Sequence, residues 1–316
     1  MISIGIDIGG TFVKFTAVNQ NEKILKNTEI PTNTKLSKNA FIEELAAQIK
    51  TWQKEFKGEK FVLGIGIAGD TDNTKGILHF APNIPWHNFE IAKLLTEKTG
   101  FNCYACNDAS MAAWGIYDYE FKRKHKNLVI ITLGTGVGGG LIIDGKLYQG
   151  FSGSAGEFGH FKVDYSKEAL KCACGHKGCL EAYIGTKGLK KQMLNTAKSA
   201  PKSILAKLLK ENKFSIKLLS DAASAGDKNA LKIWHNFGSA LAKALSDVVL
   251  LFNPEAIILA GGVAKGSKYF TPAIKEVFDK QVIKRPFKDI KILVSKQKDI
   301  GALGAALYAL SKQNEK

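Results

Sequence analysis

Arginine is almost missing from this chain. Only Arg123 and Arg285 occur among 45 basic residues, so the formal charge of +16 rests on lysine. Arginine is the residue suited to bidentate recognition of phosphates and base edges, and no helix-turn-helix or zinc-finger spacing accompanies the lysines. Lys35, Lys38, Lys50, Lys54 and Lys57 are scattered as on the solvent faces of helices. The basic balance therefore reads as a hydrated surface, with no nucleic-acid partner expected. Long apolar runs are also lacking. None approaches the ~20 residues that span a bilayer, so no membrane partner is expected either. The opening residues MISIGIDIGGTF hold neither a basic leader nor a cleavage site and read as a first strand. This predicts a cytoplasmic protein, a setting in which clustered cysteines bind metal more often than they form disulfides. Cysteine itself is scarce, at five in 316 residues, yet three of the five fall within one short segment.

What is present describes an ample core, with 45% hydrophobic and 23% charged residues and a length that admits two domains. Residues 2–8 and 12–18 alternate in the strand manner around Gly9-Gly10, and residues 61–68 (FVLGIGIA) read as a buried strand. Phe41, Ile42, Leu45, Ile49 and Trp52 recur at helical spacing. Three times an apolar strand runs into a glycine-rich turn, at Gly9-Gly10, at residues 134–140 and at Gly261-Gly262. Helical stretches at residues 109–117, 230–252 and 300–310 alternate with these strands, which predicts α/β layers in two similar halves. The basic run at residues 121–127 (FKRKHKN) is the expected boundary. One domain would comprise residues 1–120 with the terminal helix at 299–316, and the other residues 121–298.

Four motifs carry chemistry. In DIGGTFVK, a Gly-Gly turn lets backbone N–H groups approach a phosphate; Thr11 adds a hydroxyl, Lys14 a cation, and Asp7 a carboxylate able to hold Mg²⁺ through water. A plain hairpin would also suit Gly9 and Gly10. The run Gly134-Thr135-Gly136-Val137-Gly138-Gly139-Gly140 fits neither a Rossmann turn, since a strand follows it, nor a Walker A loop, since it lacks Gly-Lys-Ser/Thr. So many glycines point to close backbone approach to a ligand. Asp108, in CNDAS, is either a helix N-cap or a general base, and spacing does not decide between them.

The fourth motif spans residues 153–183. It holds His160, Cys172, Cys174 and Cys179 in a His-x11-Cys-x-Cys-x4-Cys pattern, with Glu157 and Glu181 beside them. Three thiolates and an imidazole make the ligand set of a closed tetrahedral zinc site. The two carboxylates next to it could grip a polyhydroxylated ligand. Cys103 and Cys106 lack a second ligand pair and read as buried free thiols.

Taken together, DIGGTFVK, GIAGDTDNTKGIL, APNIPW, CNDASMAAWG, LGTGVGGG, GEFGH and CACGHKGCLEAY resemble the ROK family of sugar kinases and sugar-responsive repressors, in the right order over nearly the whole chain. The resemblance implies a two-lobed ribonuclease H-like fold of the actin/hexokinase/Hsp70 superfamily, with sugar and ATP meeting in a cleft. It implies Asp108 as the catalytic base, and Gly69, Asn83, Asn107, Glu157, His160 and Glu181 as sugar contacts. Gly9, Gly10, Thr11, Lys14, Gly134, Thr135, Gly136 and Gly262 would surround the nucleotide, with Mg²⁺ and a structural Zn²⁺ as further cofactors. A homodimer is implied as well. The repressor branch carries a DNA-binding module ahead of this core, and none is expected here because the core begins at residue 2. The sequence departs from the family at Ala68-Gly69, where proline commonly precedes the glycine, and in the acidic Asp70-Thr71-Asp72. The expected activity is ATP-dependent phosphorylation of a hexose 6-hydroxyl, glucose first. An N-acetylhexosamine kinase and a non-catalytic sugar sensor are the alternatives.

Overall fold

The computed structural model describes residues 1–81, 84–297 and 299–314. The chain opens with β1 (Ile2–Ile8), β2 (Phe12–Asn19) and β3 (Ile24–Pro31), followed by α1 (Lys38–Glu55) and β4 (Phe61–Ile67). A two-stranded ribbon of β5 (Asp70–Asp72) and β6 (Ile77–Phe80) leads to α2 (Ile91–Thr99), β7 (Cys103–Asn107) and α3 (Asp108–Gly115). The expected helix at 109–117 is thus α-helical to Gly115 and continues as a π-turn over Ile116–Glu120. There follow β8 (Leu128–Leu133), β9 (Val137–Ile143) and β10 (Lys146–Tyr148), and then a run of helices. These are α4 (Leu180–Ile184), α5 (Thr186–Ser199), α6 (Ile204–Glu211), α7 (Lys217–Ser224) and α8 (Lys228–Phe252). The chain closes with β11 (Ala256–Ala260), α9 (Ser267–Asp279), α10 (Arg285–Lys288), β12 (Lys291–Val294) and α11 (Ile300–Asn314).

The two large sheets have the same strand order. One runs β3-β2-β1-β4-β7 and the other β10-β9-β8-β11-β12, so each half places its first strand at the centre. In the first, β1, β4 and β7 are parallel and β2 is antiparallel to β1. In the second, β8, β11 and β12 are parallel. Parallel strands are covered on both faces, which explains why β1, β4, β8 and β11 read as nearly unbroken apolar runs.

Backbone contacts divide the chain into two units, Met1–Lys126 with Gly140–Gly156 and Gln297–Lys316, and Asn127–Gly139 with Glu157–Lys296. In the first unit α11 lies on β1 and β4. A Cβ on Gly5 would fall 1.8 Å from the Ala302 carbonyl oxygen, and one on Gly64 would fall 1.9 Å from that of Ala305. Only glycine allows that approach, and Ser3 Oγ fixes it by donating to the Ala306 carbonyl at 2.6 Å. In the second unit α8 packs along α9 around Trp234, Phe237 and Phe270, all fully buried. No helix among the described residues is long and apolar enough to cross a membrane.

Candidate active site and metal centre

The first group of functional side chains sits at the carboxyl ends of parallel strands, where open α/β sheets present ligands with backbone termini and loops. Asp7 is the penultimate residue of β1 and pairs in register with Gly66 of β4, which in turn pairs with Cys106 of β7. That register brings the end of β1 near the end of β7, where Asn107 and Asp108 begin α3. Asn107 is the N-cap: its Oδ1 accepts from the N–H of Ala109 (2.9 Å) and of Ser110 (3.2 Å). Its Nδ2 donates to the Gly69 carbonyl at 3.0 Å.

The N-cap of α3 is thus Asn107, not Asp108. Asp108 Oδ1 accepts one bond, from Ala109 N–H at 2.8 Å. Burial raises its carboxyl pKa above the ordinary value, and the bond from Ala109 opposes this in part. A carboxylate so tuned is a stronger base than one in water. The Asp7 carboxyl is pushed up to about 7, first by burial and then by the charge of Asp108, while Lys14 works against the rise. Lys14 itself is ion-paired to Asp299.

The Gly-Gly turn between β1 and β2 is braced from within. Gly9 N–H donates to the Phe12 carbonyl (3.1 Å), and Thr32 Oγ1 donates to the Gly9 carbonyl (2.7 Å). Gly10 and Thr11 are left exposed at its tip.

The second group lies in the other unit. Glu181, in α4, accepts the Val137 N–H at 2.9 Å and so ties the glycine-rich loop to that helix. A Cβ on Gly136 would stand 2.3 Å from Glu181 Oε2, so a side chain there would displace the Glu181 carboxylate from its place beside the loop. Thr186 Oγ1 donates to the Gly134 carbonyl at 2.7 Å. At Gly134 and Gly262, by contrast, a Cβ would meet nothing within 4 Å. Packing does not demand glycine at these two positions, and the open space over them fits a nucleotide lying against the backbone.

The four candidate metal ligands converge as their spacing predicts. His160, Cys172, Cys174 and Cys179 each offer an atom within 4.8 Å of all the others. The Cys174 and Cys179 sulfurs are 3.7 Å apart, close to the ~3.8 Å edge of a tetrahedron with zinc–sulfur bonds of about 2.3 Å. Burial pushes the Cys179 thiol up to about 12, so a cation is needed to hold it as thiolate. The donor set and its geometry fit zinc. The loop that presents it is pinned by Cys172 N–H to the His176 carbonyl (2.7 Å), Gly178 N–H to the Leu170 carbonyl (2.9 Å) and Tyr183 Oη to Asp164 Oδ2 (2.5 Å). The two imidazole nitrogens of His160 face different ways. Nδ1 is 4.0 Å from Cys172 Sγ and Nε2 is 3.9 Å from Glu157 Oε2. Elsewhere, Cys106 is buried and Cys103 half-buried, and burial raises both thiols, Cys106 to about 12.

Asn83 falls outside the described residues. Three further residues belong to these groups and were not singled out by sequence. Asp299 holds Lys14, Asn73 accepts from Asn107 N–H at 3.1 Å and donates to the Gly153 carbonyl at 2.7 Å, and Thr186 braces Gly134. Only Asp299 carried a signal, as an acidic residue just ahead of an apolar helix.

The sequence profile of the ROK family matches residues 3–312. A glucokinase of Thermotoga maritima is 34% identical over 309 residues, covering 96% of this chain and 95% of the relative. The solved structure of a ROK family glucokinase from Streptomyces griseus, in complex with glucose and AMPPNP, is 31% identical with a TM-score of 0.80 and covers 98% of this chain and 100% of that one. An N-acetylglucosamine repressor of Escherichia coli is 25% identical, covering 98% of this chain and 75% of the repressor. Matched from end to end by the profile and by the Thermotoga enzyme, and built on the same actin/hexokinase-like fold, the chain belongs to the ROK family.

Proposed function

We propose that this protein is an ATP-dependent sugar kinase that phosphorylates the 6-hydroxyl of a hexose, glucose foremost. The observation that carries the reading is Asp108, a carboxylate whose pKa is raised by burial at the start of α3 and whose capping duty is taken by Asn107. The glucokinases of Thermotoga and Streptomyces support the choice of sugar and donor.

Asp108 accepts the proton of the sugar hydroxyl as that oxygen bonds to the γ-phosphorus, and the bond from phosphorus to the β–γ bridging oxygen breaks, releasing ADP. Phosphoryl transfer asks mainly for positioning and charge neutralisation. Backbone N–H groups of Gly10, Thr11, Thr135 and Gly136 take phosphate oxygens at turns that Gly9 and Gly134 shape through their own bonds to the Phe12 and Gly136 carbonyls, Lys14 adds a cation, and Gly262 leaves room for the nucleoside. Asp7 would hold Mg²⁺ through water, and the ion would supply charge neutralisation on the triphosphate. Asn107, Gly69 and Asn83 hold one part of the sugar; Glu157, His160 and Glu181 hold other hydroxyls. His160 and the three cysteine thiolates would hold zinc, which would order the loop, and the other imidazole nitrogen of His160 would face a sugar hydroxyl.

Likeness to the N-acetylglucosamine repressor favours a second reading, in which the acceptor is a 2-acetamido hexose. The test is ADP release from the purified protein with ATP, Mg²⁺ and, in turn, glucose, mannose, fructose, N-acetylglucosamine and N-acetylmannosamine. The proposal expects the highest kcat/KM on glucose. A higher value on an acetamido sugar moves the assignment to the second reading, and no turnover on any sugar overturns both.

A further inference from the structure

An apolar patch with a basic rim occupies the end of the second unit where α8, α9 and α10 meet, and neither the metal centre nor the glycine-rich loop uses it. Gln281, just past α9, donates through Nε2 to Ser246 Oγ of α8 at 3.1 Å. Leu250 follows Ser246 by one turn on the same face of α8, and Val282 and Ile283 follow Gln281 directly. Their side chains project into water: Val282 is 90% exposed, Leu251 73%, Ile283 59% and Leu250 46%. Aliphatic side chains this exposed, on two elements joined at Gln281 and Ser246, are uncommon on a protein surface that has no binding role. Around them stand Lys280, Lys284, Arg285 and Lys288, all exposed, and no acid lies between positions 280 and 288; Asp279 and Asp289 flank the stretch, and Asp247 lies one turn before Leu251. One of the two arginines of the whole chain is in this rim.

We infer that this patch docks the protein onto an anionic lipid surface, with Val282 and Ile283 entering the interface and the cations of the rim contacting headgroups. Aliphatic tips framed by lysine are what an interfacial contact requires, since the surface potential of an anionic leaflet attracts each cation and shallow burial of the tips adds to the attraction. A second copy of the chain is a poorer occupant, because a two-fold contact would bring two basic rims together. Four side chains also fall well short of the ~800 Å² per partner of a stable protein interface. The absence of a spanning helix bears on insertion across a bilayer and not on docking to its surface.

The test is co-sedimentation of the full chain with vesicles of phosphatidylcholine alone and of phosphatidylcholine with phosphatidylserine, in low salt. Binding is expected only with phosphatidylserine. The exposed double variant Val282→Asp, Ile283→Asp should weaken it at least about tenfold, while solution activity and Tm stay unchanged. No binding to phosphatidylserine vesicles overturns the inference. So does binding that the double variant leaves intact, which would assign the attraction to the lysine surface at large. Self-association of the unaltered protein that the double variant abolishes would give the patch to a second copy instead, and would also overturn it.

Discussion

The β1–β2 turn and the β8–β9 loop follow the central strands of two sheets with the same strand order, yet they are built by opposite means. Around the first turn stand Asp7, Lys14, Asp108 and Asp299, and charge decides its properties. The second is held by hydrogen bonds, from Thr186 and to one Glu181 oxygen from a backbone N–H. Equal topology therefore did not dictate equal chemistry. In the proposed function, the half with Asp108 concentrates carboxylates at strand ends, while the other half presents a glycine loop beside the candidate metal ligands.

Five substitutions break or sharpen that contrast. The largest effect is expected from Asp108→Asn, which should lower kcat by ~10²–10⁴-fold with sugar affinity nearly intact, as a base acts chiefly in the transition state. ADP release and calorimetric sugar titration measure the two quantities, and near-normal turnover would place the base elsewhere. In the metal half, Cys179→Ser should reduce zinc from about one per chain toward none and destabilise by at least about 3 kcal/mol. Metal analysis with denaturant melts reads both, and an unchanged fold without zinc would remove the metal from the account.

A paired change inside the second loop has a smaller effect. Gly136→Ala forces a methyl against Glu181 and should cost about 1–3 kcal/mol, whereas Gly134→Ala, with nothing within 4 Å, should stay within about 0.5 kcal/mol and instead raise the KM for ATP. Equal stability losses would show that the loop is braced differently. The smallest effect is a gain. The Asp7 carboxyl, at about 7 when folded against an ordinary value of 3.8, keeps its proton in the native state over a window in which the unfolded chain has lost it. Stability thus declines as pH rises from about 4 to 7, and the full penalty persists above 7. Asp7→Asn removes it, so the variant should melt on the order of 5 °C higher above pH 7, with the difference closing below pH 4 and activity falling. A Tm difference independent of pH would sever that linkage.

The strands and glycine loops were legible because each carries its signal within about ten residues: an apolar run, then glycines, then a second apolar run. His160 and the three cysteines were legible for a related reason, since few structures need so many soft donors in so short a span. The short helices α4 to α7, with little continuous apolar pattern, went unread. The pairing of Lys14 with Asp299, 285 positions away, was invisible because it depends on α11 returning to β1. The link from Glu181 to Val137 N–H, over 44 positions, likewise appears only once α4 is laid beside the loop.

The sequence by itself determined the family, the clustering of His160 with the three cysteines as candidate metal ligands, and the strand-turn-strand frame of both loops. These rest on local order, in which residue type and spacing are the whole argument. Tertiary structure alone decided that Asn107 takes the cap and frees Asp108, that β1, β4 and β7 bring Asp7 within reach of Asp108, and that burial raises both carboxyls. The physical reason is that desolvation and charge–charge terms depend on what surrounds a group in space, and for these residues the surroundings come from strands and helices far away in sequence.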